Sequence, residues 1–100
     1  MEQSRQYPED VLGLLKFKFI DGDLTRDTEL TGQMDPYVEL FIGGVRVYKT
    51  EVKDDAGKNP VWNEECTYEV KDRGLEVRLI VSDEEVFSDD VIGERTMQLS

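Results

Sequence analysis

Hydrophobic and polar residues alternate along most of this chain. In "LLKFKFI", Leu15, Phe17 and Phe19 fall on one face, and Lys16 and Lys18 on the other. In "YVELFI", Val38, Leu40 and Ile42 alternate with Tyr37, Glu39 and Phe41. "VRVYKTEV" sets Val45 and Val47 against Arg46 and Tyr48, "ECTYEV" aligns Cys66, Tyr68 and Val70, and "LEVRLIV" aligns Leu75, Val77, Leu79 and Val81. A period of two, carried by β-branched and aromatic residues, predicts half-buried strands. A shorter sixth strand is expected from Ile92 to Leu99. The spacers carry turn chemistry: Gly43–Gly44 signals a tight hairpin, "DDAGKNP" a longer turn closed by Pro60, and "KDRG" a short one. No helical periodicity persists beyond a turn. The pattern therefore predicts an all-β, antiparallel sandwich. Leu15, Phe17, Phe19, Val38, Leu40, Trp62, Tyr68, Val77 and Leu79 should lie in or border its core.

Two connections are longer and acidic, one from Asp21 to Met34 and the other from Ser82 to Asp90. The second contains "DEEVFSDD", five carboxylates around an apolar Val86–Phe87 tip with no basic residue among them. Such a run is either a solvated acidic loop or a place where positive charge belongs.

Composition narrows the choices. One hundred residues make one domain with a modest core. With 23 acidic and 12 basic residues the net charge is −11, which argues against nucleic acid and against unaided binding to anionic membranes. There is no histidine and a single cysteine, Cys66, so a Cys/His zinc site, a nucleophile–histidine pair and an internal disulfide are all excluded. Cys66 falls on the expected buried face of its strand, as a small apolar residue. A reducing, cytoplasmic setting is expected. "MEQSRQYPED" is polar and unlike a signal peptide, and no apolar run is long enough to span a bilayer.

Three segments occur in order at domain-like spacing: "MDPYVEL", "KTEVKDDAGKNPVWNEE" and "LEVRLIVSDEEVFSDDVIGE". Together they resemble the C2 domain, a calcium-dependent phospholipid-binding β-sandwich, in its small single-domain plant or protist type. The likeness covers roughly residues 12 to 99, with residues 1–11 as an N-terminal tail. It implies a Greek-key sandwich of about six to eight strands, with the two acidic connections side by side at one end.

The resemblance also implies a Ca²⁺ site, and the chemistry agrees: calcium is a hard cation that takes six to eight oxygens. An EF-hand does not fit. Counting from Asp21, position six is Arg26 rather than Gly and position twelve is Gly32 rather than Glu. By the family pattern, the first-connection ligands fall on Glu29 and Asp35, with Asp27 able to compensate for Glu29. Those of the second connection fall on Asp83, Glu85 and Asp90, with Asp89 competing for the last position because this connection is one residue short. Glu29 and Glu85 stand where the family has Asp. The resemblance places Leu30, Val86 and Phe87 at positions that enter lipid. Lys49 and Lys53, with Arg46 and Lys58, occupy the strand face that often binds phosphoinositides, although Glu51, Asp54 and Asp55 interleave with them. Asn59, Trp62 and Asn63 are read as structural, a turn with a buried aromatic anchor, and Gly93 as a backbone requirement.

The implied function is a calcium-dependent module that is peripheral on anionic phospholipid membranes, with no enzymatic role. The alternative is a calcium-independent C2-like interaction or scaffolding module. A domain of this type normally continues with two more strands beyond "DDVIGE". A chain stopping at "MQLS" therefore suggests a fragment, a gap filled by a second copy or a partner through strand addition, or a shifted strand order that closes the sandwich with six strands.

Overall fold

The computed structural model describes residues 11–24 and 33–99. Six strands follow in order: β1 (Gly13–Asp21), β2 (Pro36–Ile42), β3 (Val45–Lys49), β4 (Val61–Val70), β5 (Glu76–Asp83) and β6 (Asp90–Gln98). They form two antiparallel sheets, β1-β4 and β3-β2-β5-β6. The fold is the all-β antiparallel sandwich that the alternation predicts, with six strands.

Alternation turns the larger residues of both sheets inward. Phe19, Val38, Leu40, Ile42, Trp62 and Val77 form the buried cluster, and Phe17, Cys66, Tyr68, Leu79 and Val81 pack against it. Leu15, predicted for the core or its border, is half-buried near the start of β1. Trp62 joins the sheets, because its indole N–H donates to the Pro36 carbonyl at 3.3 Å.

The hairpin between β2 and β3 turns on Gly43 (φ 60°) and Gly44 (φ 83°), a pair of left-handed residues that matches the twist of the strands. Three extra residues break the period of two. In β3 the register shifts between the Leu40–Tyr48 and Phe41–Arg46 pairs, which leaves Val47 extra. Tyr48 therefore turns inward, instead of opposing Val45 and Val47 as strict alternation predicts, and stacks on Phe19 with ring centroids 5.4 Å apart. In β4 the shift falls at Trp62–Asn63, and Asn63 takes φ 53°, which Asn tolerates better than most residues. In β6, Ile92 is the extra residue opposite Val81 and Ser82. Gly93, expected to meet a backbone requirement, meets none: its φ is not left-handed, and an added Cβ would touch nothing within 4 Å.

Antiparallel pairing brings the end of β1, the starts of β2, β4 and β6, and the end of β5 to one end of the sandwich. Among the described residues, β1 is hydrogen-bonded to a strand only on its β4 side, and β3 and β6 are the edges of the larger sheet.

Candidate functional site

The site begins where β2 starts beside the end of β5. Pro36 pairs with Asp83, and Asp83 pairs with Asp90 across to β6. This register sets three acidic residues, Asp35, Asp83 and Asp90, at the same end of adjacent strands. The Asp35 backbone N–H donates to Asp83 Oδ1 at 2.8 Å, and the Glu84 N–H donates to the Asp35 carbonyl at 3.0 Å. Asp83 is fully buried, with 0% exposure. A buried carboxylate needs hydrogen bonds or positive charge near it.

Asp35 has a second task. Its Oδ1 accepts the Asp55 N–H at 2.6 Å, which fixes the connection 50–60. Further bonds hold that connection: Lys53 N–H to the Pro36 carbonyl at 3.1 Å, and Gly57 N–H to the Met34 carbonyl at 3.1 Å. Gly57 has φ 66°, a left-handed conformation that favours glycine, and a Cβ there would also displace the end of the Gln33 side chain, whose Oε1 lies 2.4 Å away.

The connection 84–89 is built differently. Asp89 accepts the Glu85 N–H at Oδ1 (3.0 Å) and the Tyr37 hydroxyl at Oδ2. The Glu85 N–H and then the Tyr37 hydroxyl hold the Asp89 carboxyl below its ordinary value, because both bonds favour the ionised form. Burial, and then the bond to Asp89, push Tyr37 up to about 12. Lys49 Nζ lies 4.5 Å from the Tyr37 ring centroid, a cation–π contact. Beyond this base the tip projects: Val86 is 91% exposed and Phe87 is 99% exposed.

Of the residues singled out in the sequence, Asp35, Asp83, Glu85, Asp89 and Asp90 gather at this end. Asp90 is exposed and Glu85 half-buried. Asp27, Glu29 and Leu30 lie outside the described residues. Lys53 is paired with Glu51 at 2.7 Å, so its ammonium already has a carboxylate partner. Lys49 faces Tyr37 rather than open solvent alone.

The sequence pattern did not single out Tyr37. Alternation places it on the polar side of "YVELFI", yet it is only 5% exposed. Its partner lies 52 positions away, and no local pattern reports a contact at that distance.

The donor set suits a hard divalent cation, being carboxylate oxygens throughout, with a buried carboxylate at its centre. Among the described residues no three such groups are already gathered as a metal cluster. One reason lies in the geometry: both Asp89 oxygens are turned to hydrogen-bond donors.

Comparison with known proteins gives three consistent results. The C2 domain family matches residues 13–100. Among curated proteins, the chain is 34% identical over 93 residues to 16 kDa phloem protein 1 of Arabidopsis thaliana, covering 88% of this chain and 60% of that protein. It is 40% identical over 103 residues to Synaptotagmin-2 of the same plant, covering 99% of this chain and 19% of that protein. The chain thus spans less than two thirds of each of these relatives. Among solved structures, a C2 domain of plant Extended Synaptotagmin 1 superposes with a TM-score of 0.76 at 27% identity, covering 87% of this chain and 69% of that one. The calcium-bound pair of C2 domains of Extended-Synaptotagmin 2 superposes with a TM-score of 0.74 at 28% identity, covering 88% of this chain and 35% of that one. Among the described residues, no helix is long and apolar enough to cross a membrane.

Proposed function

The chain belongs to the C2 domain family, and on that premise we propose that it is a calcium-dependent module peripheral on anionic phospholipid membranes. C2 domains commonly bind calcium and phospholipids. The observation that carries the reading for this chain is the joining of Asp35 to Asp83 directly beneath an exposed Val86–Phe87 tip. Cation-binding carboxylates and a lipid-facing apolar element then share one end of the sandwich.

In this reading Asp35, Asp83 and Asp90 hold the ion, with Glu85 contributing, and with Glu29 and Asp27 supplied from the first connection. Calcium bound there would add positive charge and leave coordination positions for lipid phosphate oxygens. The protein residues do the rest. Without the ion, the acidic end of a chain of net charge −11 is repelled by anionic headgroups. With the charge offset, Phe87, Val86 and Leu30 can enter the interface, and Lys49 and Lys53 can reach headgroups from the side by exchanging the Tyr37 ring and Glu51 for phosphate. Fully burying a Phe or Leu side chain contributes about 1.5–3 kcal/mol. The role is non-enzymatic, with the module cytoplasmic and peripheral.

The test is sedimentation with vesicles containing phosphatidylserine, in millimolar calcium and in chelator. Binding is expected only with calcium, and weaker at high salt because screening reduces the headgroup attraction. Equal binding in both conditions would sink the reading.

A second reading, a calcium-independent interaction module working by strand addition, is favoured by one observation. β1 is hydrogen-bonded to a strand on one side only among the described residues, and it carries exposed Leu14 and Ile20. Light scattering of the 100-residue chain tests it. A monodisperse monomer at all concentrations argues against self-association through that edge.

A further inference from the structure

Two adjacent carboxylates, Asp89 and Asp90, close the connection 84–89, and the hydrogen bonds make them two kinds. Asp89 has both oxygens occupied by neutral donors, Tyr37 Oη–H and Glu85 N–H. The Tyr37 hydroxyl is the donor in its bond to Asp89, so the phenol proton lies toward the carboxylate. Tyr37 belongs to β2 and is nearly buried, while Asp89 immediately precedes β6. The bond therefore ties the exit of the loop across β5 to the start of β2. Asp90, one residue on, is exposed, pairs in register with Asp83, and has no hydrogen bond or ion pair to its carboxylate among the described residues.

We propose that Tyr37 is a positioning residue for the connection 84–89: its hydroxyl, acting through Asp89, latches the loop onto β2 and leaves Asp90 as the carboxylate free to take a cation beside Asp83. The proposal rests on the calcium reading above for its second half only; the latch itself exists without any ion. Turning Asp89 toward a cation would strip the acceptor from a nearly buried hydroxyl and release the Glu85 N–H, and both changes are unfavourable. Asp90 loses nothing by turning. The latch also fixes the base from which Phe87 projects, because Glu85 and Asp89 bracket the tip.

The experiment compares the full chain with Tyr37→Phe, Asp89→Asn and Asp90→Asn. Hydrogen exchange of the Glu85 amide is read first, without metal. Tyr37→Phe keeps the ring and is expected to speed that exchange about tenfold, the loss of one charge-assisted hydrogen bond. Calcium titration of the loop amides is read second. Asp90→Asn should weaken the response most, whereas Asp89→Asn and Tyr37→Phe should weaken it by similar, smaller factors, about tenfold or less. Unchanged Glu85 exchange in Tyr37→Phe overturns the latch, and so does an Asp89→Asn variant as damaged in calcium response as Asp90→Asn. If Tyr37→Phe does not fold, Asp89→Asn at its exposed position supplies the exchange reading. If the unmodified chain ignores calcium, the proposed function falls, while the Glu85 amide still decides the latch.

Discussion

Two connections at the same end of the sandwich each hold three carboxylates and are built in opposite ways. "EVKDDAGKNP" (residues 51–60) and "EEVFSD" (residues 84–89) are both rich in acid. The first is folded down. Asp35 caps it through Asp55, the Pro36 and Met34 carbonyls take its N–H groups, and Gly57 and Pro60 are buried. The second is held at its two ends and leaves its apolar pair in solvent. Acidity alone therefore does not mark a functional loop. A loop whose backbone N–H groups are used up by neighbouring strands is structural. A loop that leaves its largest apolar residues outside is available for a partner.

The contrast breaks most sharply at the residue the two connections share. Asp35→Asn combined with Asp83→Asn should abolish the calcium response, with a loss of about a hundredfold or more by titration of the loop amides, because two charged ligands are lost. The fold should survive, since the Asn side-chain oxygen still accepts the Asp55 and Asp35 N–H groups. A calcium response as strong as in the unmodified chain would remove these two residues from the site.

The projecting connection should answer to lipid and not to stability. Phe87→Ala is expected to reduce calcium-dependent vesicle binding about tenfold, as befits partial burial of a Phe side chain. It should change unfolding free energy by less than about 0.5 kcal/mol, because the ring is left in solvent by folding. The folded-down connection should do the reverse. Gly57→Ala forces a Cβ into the left-handed region and against Gln33, and should cost about 1–2 kcal/mol in denaturant unfolding. A Gly57→Ala protein as stable as the original would show that this connection is not pinned.

The smallest expected effect concerns the tyrosines that anchor this end. Tyr37 and Tyr48 both titrate at about 12, Tyr37 mainly through burial and Tyr48 mainly through its bond to Glu64. A raised value means that the fold favours the protonated phenol. The stabilisation is complete below the ordinary value of 10.0 and is lost as pH rises toward 12. Near-ultraviolet titration of the folded chain should show at least two of its four tyrosines ionising near 12. All four ionising together near 10 would contradict the Tyr37–Asp89 and Tyr48–Glu64 bonds.

The strands, the sandwich and most of the core were legible in the order of the residues. Burial of one face of a strand imposes a period of two, and that period is written residue by residue in "LLKFKFI" and "LEVRLIV". Ordered motifs that resemble a known family also brought Asp35, Asp83, Glu85, Asp89 and Asp90 forward. What the period cannot encode was settled by packing. Extra residues at Val47 and at Ile92 shift the register, which turns Tyr48 inward and sets Asp83 opposite Asp90. Only the packed sheets bring the Tyr37 hydroxyl to Asp89 and give Asp35 its two roles. Those contacts join residues about twenty to fifty positions apart. They depend on which strands pair and in what register, and that is fixed by the whole core rather than by any local stretch.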